Sequence, residues 1–185
     1  FGNANLGLAH AMGHSFGAWF KLPHGRCVAL FLPYVIDFSI NAGVLRYADF
    51  ERFLWMMDMS KAAESAQSFG NSDARDHDAH LTPHDSAPHD SAPYPDAPYP
   101  DARMTDALAL SRRFAARVRA LATAVGQPLC VAAMGIAESD YHTALEALCD
   151  HAEADTQFFT APRIPDRAEL EQLFRAAYHG ARVEF

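Results

Sequence analysis

The sequence is poor in the features that would direct it to a membrane, a disulfide scaffold or a nucleic acid. It has no run of about 18 or more apolar residues, and its first residues lack the charged-then-apolar order of a secretory signal, so neither a membrane span nor export is expected. It has three cysteines, Cys27, Cys130 and Cys149, an odd number set far apart. That argues against a disulfide framework and for a reducing, cytoplasmic compartment. Positive charge is scarce: 15 Lys and Arg stand against 23 Asp and Glu, a formal net charge of -8. A phosphate backbone is therefore not the expected partner, because nucleic-acid affinity rests on basic side chains neutralising phosphates. A small organic substrate fits better.

Half of the 185 residues are hydrophobic, enough for the core of one domain or of one domain with an appendage. The apolar pattern is helical. Residues 3 to 20 are apolar on nearly every side, as in a buried helix; Pro23 in "KLPHG" marks a turn and suits the start of the next helix, placing His24 on its first turn. "RCVALFLPYVIDFSINAG" reads as a core helix kinked at Pro33, and Tyr47 to Phe69 as a helix ended by Gly70. From Thr105, Leu108, Leu110, Phe114, Val118, Leu121 and Val125 recur at helical spacing up to Gly126 and Pro128, and "QPLCVAAMGI" reads as a short helix. Ser139 is the expected N-cap of the helix that follows, and Asp166 with Glu169 forms a capping-box pattern for a last helix closed by Gly180. The expected fold class is all-α, a bundle of about six helices in a single domain spanning residues 1–185.

Residues 71–102 break this pattern. They repeat HDSAP twice and then run through YPDAP and YPDA, a polar and proline-rich composition that cannot bury a face. A flexible insertion between helices is expected, and its histidines, His77, His80, His84 and His89, are read as solvated rather than metal-binding. Asp37, Asp49 and Asp58 have no partner at an informative spacing and are expected to be surface or capping groups.

The densest chemistry lies in "AHAMGHSFGAWFKLPHG", residues 9–25, which holds His10, His14 and His24. Four positions apart on a helix, His10 and His14 project from one face, and the turn at Pro23 lets His24 return toward it. Neutral imidazoles suit Zn and Fe. Spacing alone leaves metal ligands, an acid/base pair and hydrogen-bonded interior histidines all open. Met12, Phe16, Trp19 and Phe20 are expected to be core before they are a substrate wall, and Cys27 a small buried hydrophobe.

"GLAHAMGHSFGAWFKLPHGRCVALFLPYV" resembles the second signature of the iron-containing, group III alcohol dehydrogenases: a glycine-rich helix with His-x3-His followed by a PHG turn. "ALEALCDHAEADTQFFTAPRIPDRAELEQLFRAAYHG" is similar to that family's C-terminal helices, with Ala161 where its motif has Asn and with Phe16 bulkier than usual. The resemblance implies that His10 and His24 are ligands of Fe2+ or Zn2+. It makes His14, near the nicotinamide and substrate, the catalytic and cofactor-binding residue, suited to relaying a proton.

The implied reaction is NAD(P)-linked oxidation of a small alcohol, or reduction of the aldehyde. The metal polarises the alcohol oxygen while hydride passes to the nicotinamide. The family's glycine-rich nucleotide-binding domain, and the helix that gives an Asp and a His as the other two ligands, do not precede Phe1. With its first residue a Phe, the chain reads as the C-terminal helical part of a longer enzyme. Its expected partners are an N-terminal nucleotide-binding domain or partner chain and further copies in a homo-oligomer. Two other readings stand beside it: a catalytically incomplete helical interaction module, and a maleylacetate reductase-like member of the same superfamily.

Overall fold

The computed structural model describes residues 6–70 and 106–185, with Met59 and residues 62–70 described by their backbone alone. Those residues form six α-helices: α1 (Leu8–Phe20), α2 (His24–Asn41), α3 (Tyr47–Gly70), α4 (Ala107–Ala124), α5 (Glu138–Ala154) and α6 (Arg167–His179). Two short 3-10 turns, Ala132–Met134 and Thr156–Thr160, complete the order, and no strand occurs among the described residues. The all-α expectation holds. The repeat at 71–102, with His77, His80, His84 and His89, lies outside the described residues.

Helix α1 buries Leu8, Ala11, Met12, Ser15 and Phe16, the i, i+3, i+4, i+7 and i+8 stripe of a helix set against a core. Ser15 is satisfied there by donating to the Leu148 carbonyl of α5 at 2.6 Å. Two glycines set how closely α2 crosses. A Cβ on Gly13 would lie 2.9 Å from the Val28 side chain and 3.0 Å from its Cα; one on Gly17 would lie 3.2 Å from the Cys27 sulfur. Only the missing side chains allow these backbones so near. The helix then stops at Lys21, held left-handed at φ 57, and Pro23 is the N-cap of α2.

Helix α2 runs unbroken through Pro33 and carries Cys27, Leu30, Phe31, Tyr34 and Phe38 into the main core with α1, α5 and α6. Phe16 meets Phe31 edge to face, and Phe31 meets Phe174 likewise. Its other side, Ile36 and Ile40, packs on Ala115 of α4. Helix α4 starts on the Asp106 cap, which accepts from the Leu108 and Ala109 amides. It is covered by α2 and α3 on one side, so Leu121 and Val125 of its predicted apolar stripe stay exposed. Helix α6 has the predicted capping box between Asp166 and Glu169, and ends at Gly180 with φ 74.

Three local expectations are corrected. Residues 127–136 form no helix beyond the single turn Ala132–Met134; Val131 donates to the Ala177 carbonyl and the Tyr34 hydroxyl to Leu129, so bonds to other elements replace helical ones. Helix α5 begins at Glu138 behind Ala137, not at a Ser139 cap. Ser139 sits inside the first turn, where the carboxylates of Glu138 and Asp140 supply the favourable charge at the helix N-terminus. Asp37 is no surface group: it forms a partly buried ion pair with Arg119 of α4 at 2.5 Å. Asp49 and Asp58 are exposed, paired with Arg52 and Arg117.

Candidate functional site

The close α1–α2 crossing decides where the three histidines go. His10 and His14 stand one turn apart on α1, and His24 opens α2 immediately after the turn. Their ring centres form a small triangle: 5.7 Å from His10 to His14, 5.5 Å from His10 to His24 and 4.9 Å from His14 to His24, the last pair nearly stacked at 29°. His10 and His14 are half-buried and His24 is exposed, so the cluster sits at a solvent-facing corner.

Two imidazoles on one tetrahedral cation, each bonded at about 2.1 Å, have ring centres roughly 5–5.5 Å apart. The separation of His10 and His24 matches that requirement. Burial, reinforced by the adjacent His14 and His24 rings, holds His10 below the ordinary imidazole range, favouring the neutral form that can ligate. His14 is engaged differently, with its Nδ1 2.6 Å from an Asp155 carboxylate oxygen. Among the described residues no three His, Cys, Asp or Glu side chains are grouped so as to hold a cation alone. The donors here fit part of a cation's coordination shell.

The other nominated residues take bland positions. Met12 and Phe16 are fully buried in the core and Phe20 stacks on Tyr141, whereas the core expectation for Trp19 is corrected: it lies on the surface with its ring 6.2 Å from that of His151. Cys27 packs beneath Gly17, and burial pushes its thiol up. All three cysteines are free. At the family motif's altered position, Ala161 ends the Thr156–Thr160 turn in extended geometry. That turn is held by the Asp155 cap, and by Gln157 and Thr160 bonding the backbone of Leu6. Two surface grooves, of about 590 and 880 Å³, lie on α2–α4 and on α3 and contain no histidine.

Asp155 was not foreseen as a site residue. It lies 141 positions from His14, and no periodicity connects the two. The nearest signal in the sequence is its place in the stretch similar to the family's C-terminal helices, six positions before Ala161.

The model of the Fe-containing alcohol dehydrogenase family, C-terminal, matches residues 1–72, which hold all three histidines. Over these residues the chain is similar to the C-terminal part of that family. It is 24% identical over 185 residues to an NADPH-dependent butanol dehydrogenase of Clostridium saccharobutylicum, covering 100% of this chain and 36% of the relative. It is 25% identical over 178 residues to a 1,3-propanediol dehydrogenase of Citrobacter freundii, covering 96% and 34%. In fold it is similar to a crystal structure of 1,3-propanediol oxidoreductase, with a TM-score of 0.61 and 20% identity, covering 94% of this chain and 33% of that one. The chain thus spans about a third of the length of these relatives. No helix among the described residues is long and apolar enough to cross a membrane.

Proposed function

We propose that this chain belongs to the iron-containing alcohol dehydrogenases and is the metal-holding helical part of an NAD(P)-linked alcohol dehydrogenase or aldehyde reductase. The observation that carries the reading is the convergence of three imidazoles from two helices, with His10 and His24 at the separation one cation requires. His10 and His24 are two ligands of an Fe2+ or Zn2+ ion, and the remaining donors come from outside the described residues. When bound, the ion supplies Lewis acidity at the alcohol or carbonyl oxygen.

The chain's own part is to hold, orient and exchange a proton. In this reading His14 takes the substrate's hydroxyl proton in oxidation and returns it in reduction, which its position beside both ligand rings and its partial exposure support. NAD(P) carries the hydride and is held by a nucleotide-binding domain or partner chain. Relatives named for butanol and 1,3-propanediol favour a short-chain alcohol or aldehyde as substrate. The free thiols fit a cytoplasmic, reducing setting.

Equilibrium dialysis of the full chain against Fe2+ under anaerobic conditions, and against Zn2+, tests this. Weak but measurable uptake is expected, since two protein donors are fewer than durable sites use. His10→Ala and His24→Ala should each abolish that uptake. Equal uptake by wild type and both variants would contradict the assignment.

A further inference from the structure

Asp155 joins the end of α5 to the Thr156–Thr160 turn and caps that turn through Oδ1, which accepts the Gln157 amide at 2.9 Å. Its other oxygen, Oδ2, meets His14 Nδ1 at 2.6 Å, and the carboxylate is largely buried. Burial would raise its proton affinity, but the Gln157 amide and His14 prevail and hold the carboxyl below the usual range. Above mildly acidic pH it is therefore ionised, and an ionised carboxylate can only accept. The proton in this short contact belongs to His14 Nδ1.

A neutral imidazole has one N–H and one lone pair, so a proton fixed on Nδ1 leaves Nε2 as the acceptor. The carboxylate cannot easily swing away. Gln157 accepts the Leu6 amide at 2.6 Å and the Thr160 hydroxyl donates to the Leu6 carbonyl, docking the turn on the residues that lead into α1. His14 and its orienting group thus share one platform.

We propose that Asp155 is a positioning residue that locks His14 in the Nδ1–H tautomer, presenting Nε2 to the three-ring cluster as a proton acceptor. The functional consequence rests on the dehydrogenase reading, since an acceptor is what alcohol oxidation needs at that point. The tautomer itself does not, and it is measurable without metal, nucleotide or substrate.

Long-range 1H–15N correlation spectra of the uniformly 15N-labelled full chain, at about pH 8.5 where an ordinary imidazole is neutral, report which ring nitrogen carries the proton. The His14 signals are assigned by their loss in His14→Gln. In wild type Nδ1 should be pyrrole-like and Nε2 pyridine-like. In Asp155→Asn, whose side-chain amide can donate to Nδ1, the two nitrogens should exchange character while the amide spectrum stays folded. A wild-type His14 protonated on Nε2, or an unchanged tautomer in folded Asp155→Asn, would overturn the proposal. Should Asp155→Asn fail to fold, the wild-type spectrum still decides. The metal dialysis above fails or succeeds independently, so loss of one reading does not entail loss of the other.

Discussion

The α1–α2 corner and the α3–α4 pair are built on opposite principles. At the corner, glycines let two backbones meet, the side chains behind them are buried, and three histidines gather at the rim over the largely buried carboxylate of Asp155. In the α3–α4 pair the centre is charged. Glu51 of α3 is wholly buried, with Arg117 Nε 3.1 Å from Oε1 in a directed bond and 2.9 Å from Oε2 without hydrogen-bond geometry, and with Arg113 Nε 3.2 Å from Oε1. Large apolar groups point outward there: Phe50, Phe53 and Met57 are each about half exposed. The lesson is that the ring triangle depends on close apolar packing, whereas α3 and α4 are aligned by charges that do not touch it.

Gly13→Val should break that comparison most severely. The new side chain meets the Val28 backbone as well as its side chain, so the neighbour cannot simply rotate away. Overpacking of this kind costs about 1–3 kcal/mol, and the upper end is expected. Urea denaturation should show the loss, and the same variant should take up less metal in dialysis because α2 carries His24 away from His10.

Glu51→Ala removes the buried charge and frees two arginines that are already half solvated. A loss of about 1–2 kcal/mol is expected, below that of breaking a fully buried pair. The His10, His14 and His24 ring signals should be unchanged. Shifted histidine signals would show that the two regions are coupled.

A pH effect belongs to the corner's core. Burial pushes the Tyr34 phenol up to about 12. Its folded value lies above the ordinary phenol's, so the unfolded chain releases its proton first as pH rises. The contribution to stability is complete below about pH 10 and is lost as pH rises through about 12. Urea midpoints should fall over that window in wild type and fall less in Tyr34→Phe.

The smallest effect is a gain. Lys21 holds φ 57 at the end of α1, where glycine pays no steric penalty. Lys21→Gly should stabilise the chain by about 0.5–1 kcal/mol, reduced by the lost bond from Nζ to the Ala18 carbonyl. Thermal unfolding would register it.

What was legible in the sequence followed local physics. Pro23 marked the α1–α2 turn, the apolar character of residues 3 to 20 marked a buried helix, found at Leu8–Phe20, and Asp166 with Glu169 marked the capping box, because each signal lies within a few residues of its effect. The meeting of His10, His14 and His24 was partly legible for the same reason, all three lying within fifteen positions. The pairings of Asp155 with His14, Asp37 with Arg119 and Glu51 with Arg117 join residues 141, 82 and 66 positions apart, and tertiary packing alone brings them together. Residues 127–136 misled because their apolar content serves contacts with α2 and α6 rather than a helix of their own.

The central claim, that His10 and His24 share one cation, is tested most directly by a double-mutant cycle of Co2+ binding to the full chain, followed by the ion's visible absorption. If the two rings hold one ion, His10→Ala, His24→Ala and the double variant should lose affinity to the same extent, the second substitution adding nothing to the first. Losses that add independently, or binding that survives both substitutions, would contradict a shared ion.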